Sequence, residues 1–256
     1  MRSLQTIKII ASFAIGIFFS LPLLSTAQAT ESLSQREREQ VIELIRETLT
    51  KDPEIIMEAL DVLRKRREQA EALQKKTALA ENKSAIFNDP LTPIAGNPKG
   101  DVSLVEFFDY NCGYCKRVFP VVMELVKKDK NLRYVIKEYP ILGDSSIFAA
   151  KAALAAKMQD KYFEMHVGLM QTRGGLSKEK IMAIAEQAGL DTDKLEKDMA
   201  SDEINQALQN NFILGQSLGI SGTPAFIIGD EIIPGAIGLD QLEAKIDGVR
   251  KSNNER

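Results

Sequence analysis

The sequence predicts an α/β protein: one layer of sheet with helices on it, a helical stretch inserted between the halves of the sheet, and a helical arm in front. Three observations carry this. A strand, helix, strand unit runs from Val102 to Tyr139; no convincing strand appears between Asp144 and Gly219; and Ser34 to Lys76 is charged, helical in period and free of aromatic residues. The chain of 256 residues carries 33 Lys and Arg against 36 Asp and Glu, a balance that gives no basic footprint for nucleic acid.

At the N-terminus Arg2 and Lys8 precede an apolar run from Ile9 to Leu24, followed by Ala27-Gln28-Ala29. Positive start, short apolar run and small-x-small end predict a signal peptide over residues 1 to 29, cleaved after Ala29, with the mature protein exported. A retained membrane anchor is the competing reading, but the run is short for a span and is interrupted by Gly16 and Pro22. Removing Arg2 and Lys8 lowers Lys plus Arg from 33 to 31 against an unchanged 36 acids. No later segment approaches the length of a transmembrane helix.

Residues 30 to 83 are expected to form the helical arm. Ser34 and Glu37 make a capping box ahead of Val41, Leu44, Ile45 and Leu49 at helical spacing. Asp52-Pro53 is read as N-cap and first residue of a second helix, on which Ile56, Leu60, Leu63, Arg67 and Ala70 recur in steps of four and three. The run Arg64 to Arg67 is most simply a solvated face. Two helices with so narrow an apolar stripe cannot bury it against each other alone, so the stripe must meet a partner surface. Packing on the chain's own second domain is the plain solution; self-association into a homo-oligomer is the sharper one.

Pro90, Pro93, Gly96, Pro98 and Gly100 punctuate the end of the arm. The catalytic domain is assigned to residues 84 to 256, with the helical insertion at 144 to 219. Ala85-Ile86-Phe87 is a candidate edge strand. Val102 to Phe108 is a buried strand, Arg117 to Lys128 a helix with Pro120 expected to kink it, and Leu132 to Tyr139 a second core strand. About four helices are expected in the insertion, with Ser177, Asp191 and Ser201 as N-caps. Ala225 to Ile228 and Glu231 to Ile233 flank the turn Gly229-Asp230 as a hairpin, and Leu239 to Val249 closes the chain as a helix.

Between the first strand and helix stands Cys112-Gly113-Tyr114-Cys115, the chain's only cysteines. Such a pair at a helix start can close a small disulfide ring, and the helix N-terminus favours whichever sulfur is anionic there. That makes a redox device. Two other readings stay open: a structural bridge, which stabilises mainly by closing long loops, and half of a zinc site, which needs about four ligands where the chain offers two Cys and His166.

The stretch Val105-Glu106-Phe107-Phe108-Asp109-Tyr110-Asn111-Cys112-Gly113-Tyr114-Cys115-Lys116, with Gly222-Thr223-Pro224 and the helical insertion, resembles the thioredoxin fold and, within it, the DsbA-like periplasmic thiol-disulfide oxidoreductases. The resemblance spans roughly residues 84 to 250. The arm is similar to the N-terminal segment of ScsC-type members, which are trimerising disulfide isomerases or copper-tolerance proteins. Gly-Tyr between the cysteines and Thr before the loop proline also match the isomerase DsbC, where the oxidase DsbA has Pro-His and Val.

The resemblance implies Cys112 as nucleophile and Cys115 as resolving cysteine, with no cofactor beyond the pair itself. It implies a cis Pro224 facing the cysteines, and with Gly113, Tyr114 and Thr223 a surface for an extended substrate segment. Glu106, six residues before Cys112, matches an acidic family position and is a candidate to exchange a proton with Cys115. Lys137 in the next strand is a candidate partner for Glu106. Replacement of the family's histidine by Tyr114 is expected to make the pair less oxidising. His166 reads as a structural residue, and Met158, Met165, Met170 and Met182 as core fillers.

The resulting expectation is an oligomeric disulfide isomerase or reductase acting on cysteine-containing exported proteins and recycled by a DsbD-like membrane reductant. A DsbA-type oxidase served by a DsbB-like oxidant is the alternative. From another class, a copper-binding protein stays open, since a reduced Cys pair suits Cu(I).

Overall fold

The protein is described over residues 33 to 255 of a computed structural model, so the signal-peptide reading of residues 1 to 29 lies outside the described residues. The chain divides into two compact units, the first ending at Asp61 and the second beginning at Val62.

The first unit holds α1 (Gln35–Lys51) and the start of α2 (Glu54–Glu81). Ser34 caps α1 with both halves of the capping box formed. Asp52 closes α1, its backbone N–H donating to Thr48 O at 2.9 Å, and the second helix starts at Glu54. Asp52 and Pro53 alone separate the two helices, so Pro53 precedes α2 rather than opening it. None of α1 is buried; Val41, Ile42, Leu44, Ile45 and Leu49 stand exposed, as do Ile55, Ile56, Met57 and Leu60 on α2.

The second unit is built on a five-stranded sheet in the order β1-β3-β2-β4-β5. The strands are β1 (Ile94–Gly96), β2 (Val102–Phe108), β3 (Leu132–Glu138), β4 (Ala225–Ile228) and β5 (Glu231–Pro234). β2 and β3 are parallel and joined by α4 (Gly113–Lys128), which continues through Pro120; the other pairings are antiparallel. Central β2 is covered on both faces, as its nearly unbroken apolar run requires. Gly229, at φ 59°, supplies the left-handed residue of the β4–β5 turn.

The expected edge strand at Ala85-Ile86-Phe87 is instead a helical turn, α3 (Lys83–Phe87), and the edge strand proper is β1. Three apolar residues cannot distinguish a period of 2 from one of 3.6. The insertion holds five helices rather than four: α5 (Asp144–Lys157), α6 (Tyr162–Gln171), α7 (Lys178–Gln187), α8 (Thr192–Met199) and α9 (Asp202–Ser217). Ser177, Asp191 and Ser201 cap α7, α8 and α9 with their side chains. The closing helix α10 (Leu239–Asn254) runs past the expected end at Val249.

Alternation along the strands sends Leu104, Phe108, Tyr134, Ile136 and Phe226 into one core with α4, α10 and the insertion. Val105, Phe107, Val135, Ala225 and Ile227 enter a second core with Leu79 of α2, Ile86 of α3 and Leu214 of α9. A fully buried side chain of this kind contributes about 1.5 to 3 kcal/mol each. Gly215 has a particular duty in the second core, because a Cβ there would lie 2.5 Å from the Tyr139 ring.

Candidate active site

β2 ends at Phe108 and α4 begins at Gly113, so the intervening turn is short and its polar groups must be satisfied locally. Asp109 does most of this. Its Oδ1 accepts from Asn111 N–H and Ser146 Oγ, each at 2.7 Å, and its Oδ2 accepts from the N–H groups of Ile141 and Leu142 at 2.9 and 3.0 Å. Asn111 in turn donates to Ser145 and Ser146 of α5 and accepts from Leu176 N–H. One carboxylate and one amide thus fasten the cysteine turn to the exit of β3 and to the insertion.

Cys112 is the N-cap of α4, its sulfur accepting the Cys115 N–H at 3.3 Å. Both cysteines are free thiols, Cys112 keeping 6% of its surface exposed and Cys115 none. As a thiol Cys112 donates to the Thr223 carbonyl oxygen at 3.2 Å. The Cys112 thiol is pulled down to a pKa of about 5, foremost by a hydrogen bond from the Cys115 thiol, against partial burial, with the Thr223 side chain and the N–H groups of Cys115 and Tyr114 adding to it. Cys115 is pushed the other way, first by burial, then by its bond to Cys112 and by the Glu106 charge. The two sulfurs are therefore split into a ready thiolate and a retained thiol.

Glu106 lies buried beneath them on the α4 face of β2. Burial raises its carboxyl to about 7, opposed by the hydrogen bond it accepts from Tyr134 Oη and helped by the Cys112 charge. Its other oxygen, Oε1, has no hydrogen-bond partner. Lys137 does not pair with Glu106. Register places Lys137 beside Phe107, on the opposite face of the sheet, where it donates to Ala85 O at 2.8 Å and Thr92 Oγ1 and pairs with Asp89 at 3.2 Å. A one-position offset between neighbouring strands is enough to reverse the face.

The Thr223–Pro224 peptide bond is cis. Pro224 and Thr223 line a groove of about 760 Å³ together with Tyr114, Arg117, Val121 and Ile237. Tyr114 stands 60% exposed at its rim with the Arg117 guanidinium 5.0 Å from the ring centroid. Gly113 is exposed, and no atom lies within 4 Å of the point where a Cβ would stand.

His166 is fully buried, ringed by Phe108, Tyr110, Phe119 and Tyr162, and burial pushes it down to about 3. Its Nδ1 is 2.9 Å from Tyr110 Oη, which donates to Glu138 Oε1 at 2.8 Å; Tyr162 Oη donates to the same oxygen at 2.7 Å. Burial raises Glu138 to about 8. Sequence reasoning has no role for Glu138, Tyr134, Asp109 or Asn111. The available signal is a polar or phenolic side chain within β3, or just after β2, at positions that the strands bury. Met165 and Met170 are buried and Met182 partly so, whereas Met158 is 39% exposed and fills no core. Among the described residues no group of three or more His, Cys, Asp or Glu side chains is placed to hold a metal ion.

A parallel βαβ unit carrying a dithiol at the helix start, facing a cis proline, is the arrangement of a thioredoxin fold. The chain belongs to the DSBA-like thioredoxin domain family, whose model matches residues 103–247. Residues 33–70 match the copper resistance protein ScsC N-terminal domain. A thioredoxin-like oxidoreductase from Silicibacter pomeroyi is 45% identical, over 66% of this chain and 98% of that one, with a TM-score of 0.65. A linker-deletion mutant of ScsC from Proteus mirabilis is 32% identical over 86% and 98%, with a TM-score of 0.66. A periplasmic thioredoxin-like protein from Salmonella enterica serovar Typhimurium is 34% identical over 65% and 94%, with a TM-score of 0.59. The chain spans about a quarter of the length of the first curated relatives it matches, Na(+)/H(+) antiporters such as one from Salinispora arenicola, 28% identical over 60% of this chain and 24% of that protein. Among the described residues no helix is long and apolar enough to cross a membrane.

Proposed function

We propose that this protein reduces and reshuffles non-native disulfides in exported proteins, as an oligomer assembled through its N-terminal helices. The observation that carries the reading is the exposed apolar face of the arm, Val41, Leu44, Ile45, Leu49, Ile56 and Leu60, on a chain that also carries the Cys112–Cys115 dithiol. Assembly through such a face would hold several dithiols around a shared space, which suits repeated attack on one misbridged substrate.

In the reaction, the Cys112 thiolate attacks one sulfur of a substrate disulfide. The substrate S–S bond breaks, a Cys112–substrate mixed disulfide forms, and the second substrate sulfur leaves as thiolate and takes a proton. For isomerisation, another substrate thiolate attacks the mixed disulfide and returns Cys112 as thiolate, with no net electron transfer. For reduction, Cys115 gives its proton to Glu106 and attacks Cys112, releasing the substrate reduced by two electrons and leaving a Cys112–Cys115 disulfide. A membrane-bound dithiol reductant then restores the pair. Thr223 and Pro224, with Gly113 and Tyr114, form the shelf on which an extended substrate segment lies.

The lowered pKa of Cys112 favours the second reading, net oxidation, because stabilising the thiolate stabilises the reduced pair. The value of about 5 falls between thioredoxin, at about 7, and DsbA, at about 3.5, so it fits a pair that works in both directions. Localisation to the periplasm is part of the proposal, supported by the signal-peptide pattern and the periplasmic structural neighbour.

Refolding of a scrambled multi-disulfide protein tests the proposal. Recovery of substrate activity by the reduced protein is the expected result; oxidation of reduced substrate without recovery from the scrambled form overturns it. Trapping Cys112 and Cys115 by alkylation inside the cell should find them mostly reduced.

A further inference from the structure

Two concave surfaces flank the Cys112 turn. One is the 760 Å³ groove beside Thr223 and Pro224; the other, of about 580 Å³, lies between α4 and α6 and is lined by Gly113, Phe119, Pro120 and Met170. Their charged lining is one-signed. Lys75 and Arg117 line the first groove, and Lys116, Arg117 and Arg173 the second, with no Asp or Glu in either. The whole sequence has more acids than bases, 36 against 33, so four cations without one carboxylate at the rim are a local departure from the chain's composition.

These cations are not committed elsewhere. Lys116 Nζ donates to the Thr172 carbonyl at 2.5 Å and Arg117 lies over the Tyr114 ring; neither contact neutralises charge. None of the four has a carboxylate within ion-pair distance among the described residues. Lys180 adds to the same field, since its charge lowers the Lys116 pKa, after burial and against Asp109. The grooves are mostly apolar at the floor and cationic at the rim, on both sides of the reactive sulfur.

We infer that the protein selects substrate segments in which acidic residues flank the cysteine, the apolar floor taking neighbouring aliphatic or aromatic side chains. This rests on the thiol-disulfide exchange reading above and specifies its substrate. A charged cleft raises the local concentration of oppositely charged ligand and the encounter rate, and salt at a Debye length of about 8 Å removes much of that gain. The cations also suit the chemistry, because acidic neighbours raise the pKa of a peptide thiol and the rim offsets that in the bound state.

The test uses reduced full-length protein and three peptides of one sequence, each with a single cysteine carried as a mixed disulfide with 2-mercaptoethanol, flanked by Glu, Gln or Lys. Cys112 attacks the peptide sulfur, the Cys112–peptide bond forms, and 2-mercaptoethanol leaves as thiolate. Each second-order rate constant is divided by that of the same peptide with dithiothreitol, which removes differences in intrinsic reactivity. The Glu peptide should outpace the Lys peptide about tenfold at roughly 20 mM salt and no more than about twofold at roughly 500 mM. The double variant Arg117→Glu, Arg173→Glu should abolish or invert that ratio. Lys127→Glu, the same charge change per site at the far end of α4, should leave the ratio unchanged. Equal rates for the three peptides at low salt, or a ratio untouched by the double variant, overturn charge selection while leaving exchange intact. Failure of every peptide and of a small disulfide to react overturns the exchange reading itself.

Discussion

Cys112 and Thr223 are 111 positions apart in the chain, yet the cysteine sulfur and the threonine carbonyl oxygen meet at 3.2 Å. β2 and β4 are direct neighbours in the sheet, with Phe107 opposite Ala225, so the strand that ends in the cysteine turn and the strand that begins after Pro224 deliver these two groups to one edge. Everything proposed for the site depends on that pairing of strand ends.

Replacing Thr223 by Val should raise the Cys112 pKa, because the Thr223 side chain is one of the groups holding it down. Thiolate absorbance in the far ultraviolet, titrated against pH, should show a midpoint above the value of about 5 for the unaltered protein. The reduction potential should become more negative with it. An unchanged midpoint assigns the low pKa to Cys115 and the helix end alone.

The difference in thermal stability between reduced and oxidised protein should depend on pH. The folded Cys112 pKa lies below its unfolded value, so its contribution to the reduced fold is greatest above the unfolded pKa and is lost as pH falls through about 5. Cys115 has the opposite sign: raised in the fold, it contributes below the unfolded thiol pKa and loses that as pH climbs past it. Scanning calorimetry of both redox forms should therefore find the reduced form gaining on the oxidised one between about pH 5 and 8.

Glu106→Gln should leave the first attack on a substrate disulfide nearly unchanged and slow its resolution by Cys115. General base loss of this kind costs about 10² to 10⁴ in rate. Non-reducing gels after rapid acid quench should show the mixed disulfide accumulating. If instead the first attack slows equally and no mixed disulfide builds up, Glu106 acts only through the shape of the core.

His166→Phe should weaken the protein at neutral pH and change its acid sensitivity. Tyr110 loses one hydrogen bond and keeps Glu138, a cost of about 1 to 2 kcal/mol. Because burial depresses the histidine pKa to about 3, its contribution is present above its unfolded pKa near 6.5 and drains away as pH falls toward 3. Urea melts at about pH 7 and about pH 4 should show a smaller fall in stability for the variant than for the parent.

Leu44→Glu with Leu60→Glu should reduce the oligomeric state measured by light scattering and the recovery of scrambled substrate, while reduction of a small disulfide proceeds. Both side chains are exposed, so the change does not open a core. Persistence of the same assembly with both charges in place removes the arm from the proposed mechanism.

Period and punctuation in the sequence locate β2, α4, β3, the β4–β5 hairpin and three of the insertion's caps, because each has a strong local cause: an apolar run, a dipeptide turn or a hydroxyl or carboxylate before a helix. Ala85-Ile86-Phe87 imitates a strand because its burial comes from the far side of the sheet, through Ile86, and not from strand pairing. The grouping of Cys112, Cys115 and Glu106 at one place in the fold can be anticipated from spacing and resemblance. That of Lys137 cannot, since its true partners, Asp89 and Thr92, lie in a turn-rich segment with no periodic pattern to place it. The Glu138 cluster is likewise invisible in the sequence: its members come from β3, the cysteine turn and α6, and only tertiary packing joins them.

Asp109 accepts four hydrogen bonds from three places, the cysteine turn, the exit of β3 and α5. Moving α5 away from the cysteine turn would break the Ser146 bond to Asp109 together with the Asn111 bonds to Ser145 and Ser146. The insertion is consequently tied to the dithiol turn through one buried carboxylate. Any transplant of a foreign helical lid onto this sheet would have to reproduce a Ser146 equivalent before the cysteines could regain their settings.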